Sequence, residues 1–266
     1  MKKVRLAHKI LATLLKDHLH YPGRLFMDAV IIVARCGVLL LLYGYVFRLN
    51  DGVIHGTTFL VAAWSIFFYF AFSVLRLRDV SREIMQDVQS GNVEVLLSKP
   101  ISYLFYRMWW QVGLGLYSFA VITPVGVAVL ALTIGFPATM TTVLFVPTLL
   151  LTMVLGSVLT LFLYAMVGLL AFWIEDINPV FWIVDKAVMI LGGSYLPVAL
   201  FPAFMYKLAL YSPFGASQFI THTVYTSWQT EWYRQLGIQV FWIVALMIIV
   251  HVLFARARQK VSVNGG

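Results

Sequence analysis

The stretch Gly91–Pro100, GNVEVLLSKP, organises the reading of the whole chain. Gly91 interrupts a helix arriving from upstream. Asn92 is expected to cap a new one by accepting a hydrogen bond from an orphan backbone N–H. Glu94, in the first turn, suits the positive end of that helix. Val93, Val95, Leu96 and Leu97 supply apolar surface, and Pro100 stops the helix. The product, over about 92–99, is roughly 10 Å long. A helix so short is unstable alone, so its surroundings must hold it.

Those surroundings are a charged island, residues 76–107, RLRDVSREIMQDVQSGNVEVLLSKPISYLFYR, in an otherwise apolar chain. Of 266 residues, 61% are hydrophobic and 11% charged, with a mean hydropathy of +0.89. Soluble domains run near a quarter charged. A globule of this length could not hide so much apolar surface from water, so its solvent is lipid. No Pro/Gly/Ser-rich or charged linker divides the chain, and residues 1–266 read as one all-α integral membrane domain. The single Cys36 excludes an intramolecular disulfide and a cysteine metal cluster. No internal repeat is visible.

Apolar runs of roughly 20 residues can cross a hydrocarbon core as helices. About six are present, at 26–47, 56–75, 109–133, 142–172, 180–198 and 237–255. An even number puts both termini on one side. Basic residues gather at 2–16, 76–82 and 256–260, which makes that side the cytoplasm of a bacterial-type (inner) cell membrane. The net charge of +8 therefore points to anionic lipid rather than nucleic acid. Loops 48–55, 134–141 and 199–236 then face outward. A cleaved signal peptide is not expected, because the first long apolar run begins only near residue 25. Residues 4–20 carry Arg5, Lys9, Lys16 and Asp17 on one helical face and Ile10, Leu11, Leu14 and Leu15 on the other. Within 1–24 this forms an amphipathic helix lying on the membrane surface or packed on a partner protein.

Arg35 falls near the middle of the first span, and Asp185 early in the fifth. Ionisable side chains at that depth are expensive and face a partner or a wet cavity, so an Arg35–Asp185 pair is expected, within one chain or across a dimer. The alternative is that each snorkels separately to the nearer interface. Glu175 and Asp176 lie in a turn opened by Asn178-Pro179. Gly113, Gly115, Gly126, Gly156 and Gly168 mark close helix packing. The six histidines are dispersed, with no HExxH spacing, and no nucleophile–base constellation supports catalysis.

The string SREIMQDVQSGNVEVLLSKPIS resembles the signature of ABC-2 type transporter permeases between their second and third spans, through Arg82, Glu83, Gly91, Glu94, Leu96, Leu97, Pro100 and Ile101. Downstream, GGSYLPVALFPAFMYKLALYSPF, residues 192–214, is similar to the family's segment after the fifth span, through Pro197, Phe201, Pro202, Pro213 and Phe214. The resemblance implies a six-span exporter subunit that dimerises with a second or homologous permease and docks on two cytoplasmic ATPase subunits. Residues 76–107 would form its coupling loop, with Glu83, Asp87, Gly91, Asn92, Glu94, Leu96, Leu97 and Pro100 as the ATPase-coupling set. Residues 199–236 would hold short re-entrant helices. Cargo would be a hydrophobic drug, a lipid or a lipid-linked glycan. The chain contains no GxxxxGK[ST], so it is expected to have no enzymatic activity or cofactor of its own, with ATP and Mg bound by the partner. The alternative is a six-span channel or secondary transporter driven by an ion gradient, which would require intramembrane acids and inverted repeats.

Overall fold

The computed structural model describes residues 22–264 and position 13; apart from Thr13, the expected surface helix at 4–20 lies outside the described residues. The chain is almost wholly helical. At its centre stands α2 (Phe59–Ser73), FLVAAWSIFFYFAFS, whose buried residues run without a break from Ala62 to Phe72. A helix apolar on every side has no face to offer water and is buried accordingly. Ser65 Oγ in its interior lies 2.7 Å from Tyr225 OH. The Trp64 indole donates to the Gly135 carbonyl at 2.9 Å.

Around this hub pack α1 (Pro22–Leu49), α5 (Tyr103–Ile134) and α6 (Phe145–Leu169), and α10 (Trp228–Asn264) packs on α6. The α6 helix runs alongside α10 and also against the short α3 (Val80–Gln89). The outward faces of α1, α5 and α10 leave Leu41, Leu132 and Phe241 exposed. Apolar patches on this scale are stable against hydrocarbon rather than water. A two-stranded antiparallel hairpin, β1 (Val53–Ile54) and β2 (Thr57–Thr58), joins α1 to α2.

Among the described residues, five helical stretches are long and apolar enough to cross a membrane: Phe26–Leu49, Phe59–Gln89, Tyr103–Ile134, Phe145–Phe172 and Trp228–Lys260. The expected fifth span at 180–198 is instead α7 (Asn178–Leu191), only 14 residues long. At ~1.5 Å per residue it reaches about 21 Å, short of the ~30 Å hydrocarbon core. The apolar run continues past it, but Gly192 and Gly193 end the helix. Beyond them come a 3-10 turn (Val198–Leu200), α8 (Ala203–Tyr211), α9 (Pro213–Ala216) and a second 3-10 turn (Phe219–His222). The last helix begins at Trp228, earlier than the expected 237. Together 178–227 carry the chain from one end of the bundle to the other. Gln89 at the end of α3 bonds the Glu175 carbonyl before α7, and the Trp228 indole bonds Thr148 at the start of α6.

The α2–α3 connection is wedged between α5 and α6 at two glycines. A Cβ on Gly115 of α5 would overlap the backbone of Leu75, and one on Gly168 of α6 would sit 2.9 Å from the Ser81 Cα. Neither neighbour is the end of a flexible side chain, so neither can yield. Gly115→Ala and Gly168→Ala are each predicted to cost about 3 kcal/mol, read as a fall in thermal midpoint in detergent. Gly37→Ala, where an added Cβ meets nothing within 4 Å, is the control. It should stabilise α1 by roughly 0.5–1 kcal/mol.

Candidate functional site

The expected helical continuation of the second span into the charged loop is broken at Arg76. That residue adopts a left-handed backbone (φ 51) ahead of a 3-10 turn, Leu77–Asp79. A left-handed residue other than glycine costs about 1–2 kcal/mol, and three contacts hold it there. Its guanidinium pairs with Asp28 of α1. Its carbonyl accepts a hydrogen bond from Gln111 Nε2 of α5 at 2.8 Å. Ser118 Oγ, also on α5, donates to the second Asp28 oxygen at 3.1 Å.

Two residues on, Arg78 Nη1 donates to both carboxylate oxygens of Asp185 on α7, at 3.1 and 3.3 Å. Tyr164 OH of α6 donates to the same carboxylate at 2.9 Å. Asp185 is 2% exposed. An acid so buried stays ionised only with a cation and donors around it. The expected Arg35–Asp185 pair is not formed within the chain: Arg35 is exposed on α1, and Asp185 is already satisfied. A cavity of about 40 Å³ adjoins this pair, lined by Arg78, Thr160, Tyr164, Asp185 and Gln218.

The α3 helix is amphipathic. Val80, Ser81, Ile84 and Met85 are buried on its inner side, where α6 packs. Asp87, also buried, meets α5. Arg107 Nε donates to Asp87 Oδ2 at 2.6 Å, and its terminal nitrogen meets the other oxygen. Tyr103 OH donates to Asp87 at 2.7 Å and Arg107 Nη1 to Glu83 at 3.2 Å. The fork geometry of a guanidinium fits a carboxylate in this two-point manner. On the opposite side the Arg82 guanidinium lies 4.2 Å from the centre of the Phe181 ring on α7. One short segment, 76–89, is thus fastened to α1, α5, α6 and α7.

From this anchored segment projects α4 (Asn92–Leu97). Gly91 itself is the N-cap, with φ 74, and no side chain caps the helix. Asn92 is therefore inside α4, a correction to the expected capping role. Glycine reaches the left-handed backbone without a Cβ penalty, so it both ends α3 and starts α4. The helix ends at Leu97, two residues short of the expected 99. Val93 is its buried anchor, with Leu96 and Leu97 half-buried, while Glu94, Val95, Lys99 and Pro100 point outward. The coupling set read from sequence therefore divides in two. Glu83 and Asp87 are internal braces for Arg107; Asn92, Glu94 and Pro100 are exposed, and Val95, which the set did not include, is exposed beside them.

At the far end of the bundle, Pro197 precedes the 198–200 turn, Pro202 caps α8, and Pro213 opens α9. Ser212 Oγ accepts from the Gly215 amide at 3.2 Å and fixes that start. Phe201 is buried and Phe214 half-buried. Gln239 Nε2 of α10 donates to the Ala216 carbonyl at 2.9 Å. His222 is 2% exposed.

The sequence pattern missed Asp28, Arg76, Arg78, Tyr103, Arg107 and Tyr164 as site residues. Its arginines count equally well as membrane-edge charge. The available signal was Asp28 at the start of a span, where an acid without a cation is costly. A family model described as ABC-2 family transporter protein matches residues 32–265. No curated protein matches the chain.

Removing one member of a buried pair leaves the other uncompensated, at about 3–5 kcal/mol. Arg107→Ala should lower the thermal midpoint by that equivalent, and Arg107→Lys by less, since it restores charge without the fork. A double-mutant cycle of Arg78→Ala with Asp185→Ala should show coupling of about 1 kcal/mol or more, and Arg35→Ala with Asp185→Ala essentially none.

Proposed function

The chain belongs to the ABC-2 transporter family, and on that premise we propose that it is the permease subunit of an ATP-driven exporter. In this reading two permease chains, identical or homologous, form the translocation path and dock on two cytoplasmic ATPase subunits. ATP and Mg are bound and hydrolysed by those partners. The α4 helix is the coupling helix, seated in the ATPase, and α7 with the segment 192–227 is the sixth crossing, its outer half re-entrant. Both described ends of the chain lie at the α4 end of the bundle, since Asp28 pairs with Arg76 and Lys260 reaches the Phe172 carbonyl. That supports two cytoplasmic termini in a bacterial-type inner membrane.

The observation that carries this reading is the contrast between the ends of one segment. Residues 76–89 are joined to α1, α5 and α7 by ion pairs on buried carboxylates and packed against α6, whereas α4 immediately beyond them presents Glu94 and a 60% exposed Val95. An exposed apolar tip on an anchored arm is suited to receive motion and pass it on, because packed elements shift as bodies rather than deform. The apolar, aromatic-rich bundle favours a hydrophobic drug, a lipid or a lipid-linked glycan as cargo. For a gradient-driven transporter, the acids to use would be Asp28 and Asp185, and each is held by an arginine.

Co-purification from membranes with a co-expressed GxxxxGK[ST] ATPase tests the proposal. Glu94→Arg and Val95→Asp should each reduce retained ATPase at least tenfold while leaving the thermal midpoint of the chain unchanged, since both side chains are exposed. ATPase retained by both variants would contradict the docking role. Transport that survives ATP depletion and collapses with an uncoupler would replace the reading with a gradient-driven one.

A further inference from the structure

Between α1 and α5 runs a groove that the coupling function does not use. Its first chamber, about 490 Å³, is walled by Val33, Gly37 and Leu40 of α1 and by Val125 and Val129 of α5, with Phe67 of α2 as floor. A second, about 420 Å³, continues from the shared residues Leu40 and Leu130 past Gly44 and Phe59 to Arg48, Gly52 and Thr133. Each volume falls in the ~300–1,000 Å³ range of small-molecule pockets. Together the chambers follow α1 from Phe26 to Arg48, a rise of about 33 Å, close to the ~30 Å of a hydrocarbon core.

Shape and charge narrow the occupant. Spread over the rise from Phe26 to Leu40, about 21 Å, the first chamber has a section of roughly 23 Å². A single hydrocarbon chain fits along a slot of this kind. Below Arg48 the lining of the first chamber is apolar throughout. At the mouth opposite the coupling loop stands Arg48, exposed. Among the described residues it forms no ion pair, neither with Asp51 nor with any other acid. An apolar slot ending at an unpaired guanidinium matches an amphiphile with an anionic head, because a guanidinium binds phosphate in two-point fashion.

We propose that this groove is a specific site for one acyl chain of an anionic glycerophospholipid, with the phosphate headgroup at Arg48. The site is distinct from bulk annular lipid in its glycine-lined wall and its cation. It does not depend on the transport reading. Gly37 offers the sharpest variant: it lines the first chamber, and an added Cβ there meets nothing within 4 Å, so a large side chain fills the groove without displacing backbone.

The test is native mass spectrometry of the purified chain after exchange into detergent with equal phosphatidylglycerol and phosphatidylcholine. The wild type should retain about one phosphatidylglycerol per chain. Gly37→Trp should reduce that occupancy at least tenfold. Leu132→Trp, on α5 but outside the groove and 88% exposed, should not change it. Arg48→Glu should abolish the preference for phosphatidylglycerol while retaining some lipid. Unchanged occupancy in Gly37→Trp, or an unchanged lipid preference in Arg48→Glu, would overturn the proposal. So would a Gly37→Trp change confined to oligomeric mass, which would make the groove a contact between copies of this chain. Circular dichroism of each variant separates loss of lipid from loss of fold.

Discussion

Asp28, Asp87 and Asp185 are 6%, 2% and 2% exposed, and each carboxylate is met by an arginine from the segment 76–107. An uncompensated carboxylate in such surroundings costs several kcal/mol. Arg76, Arg78 and Arg107 are therefore not ornaments of a membrane edge. They fix where the second helix must stop, where α3 must lie, and which four helices it must touch. Surface pairs of the same type contribute about 0–1 kcal/mol and would tolerate alternative placements; these do not. The left-handed backbone at Arg76 and the glycines at 115 and 168 are the geometric conditions under which all three pairs form at once.

This arrangement explains how a helix of six residues, Asn92–Leu97, can have a defined position. Alone it would be marginal. Here Val93 is buried, and Gly91 joins α4 directly to an α3 that is held on both sides. In the transport reading, a displacement of the α4 tip passes through α3 to α1, α5, α6 and α7. The α7 connection is the most consequential, because α7 leads into the short helices at the opposite end of the bundle. In the transport reading, that is the physical route from the ATPase to the outer face.

Much of this was legible in the sequence, and the failures have physical reasons. Gly91 as a break and α4 as a short helix follow from local rules, as do the prolines that open the turns at the opposite end of the bundle. Asn92 was misassigned because a glycine in the left-handed region can take the N-cap position itself, which a residue preference for Asn does not reveal. The fifth span was drawn too long because hydropathy continues through Leu196 and Pro197, while the backbone turns at Gly192–Gly193. Arg35 and Asp185 were paired by depth alone. Asp185 is instead met by Arg78, 107 positions away in the chain, and no spacing rule connects residues so far apart. Arginines at a span boundary satisfy the positive-inside pattern whether they face lipid headgroups or a buried acid, so composition cannot separate the two roles.

The central claim is that α4 and α7 move as one body because the ion pairs join them. The direct measurement is a spin-label distance between Ser98, at the end of α4, and Ile183, 71% exposed on α7. It would be made in the ATPase complex with Cys36→Ser and excess unlabelled chain, comparing the nucleotide-free and ATP-trapped states. The account predicts that this distance changes by no more than ~2 Å between the states, within the range of packed helix shifts. A shift approaching one helical turn, ~5 Å, would show that α4 moves independently of α7 and would contradict it.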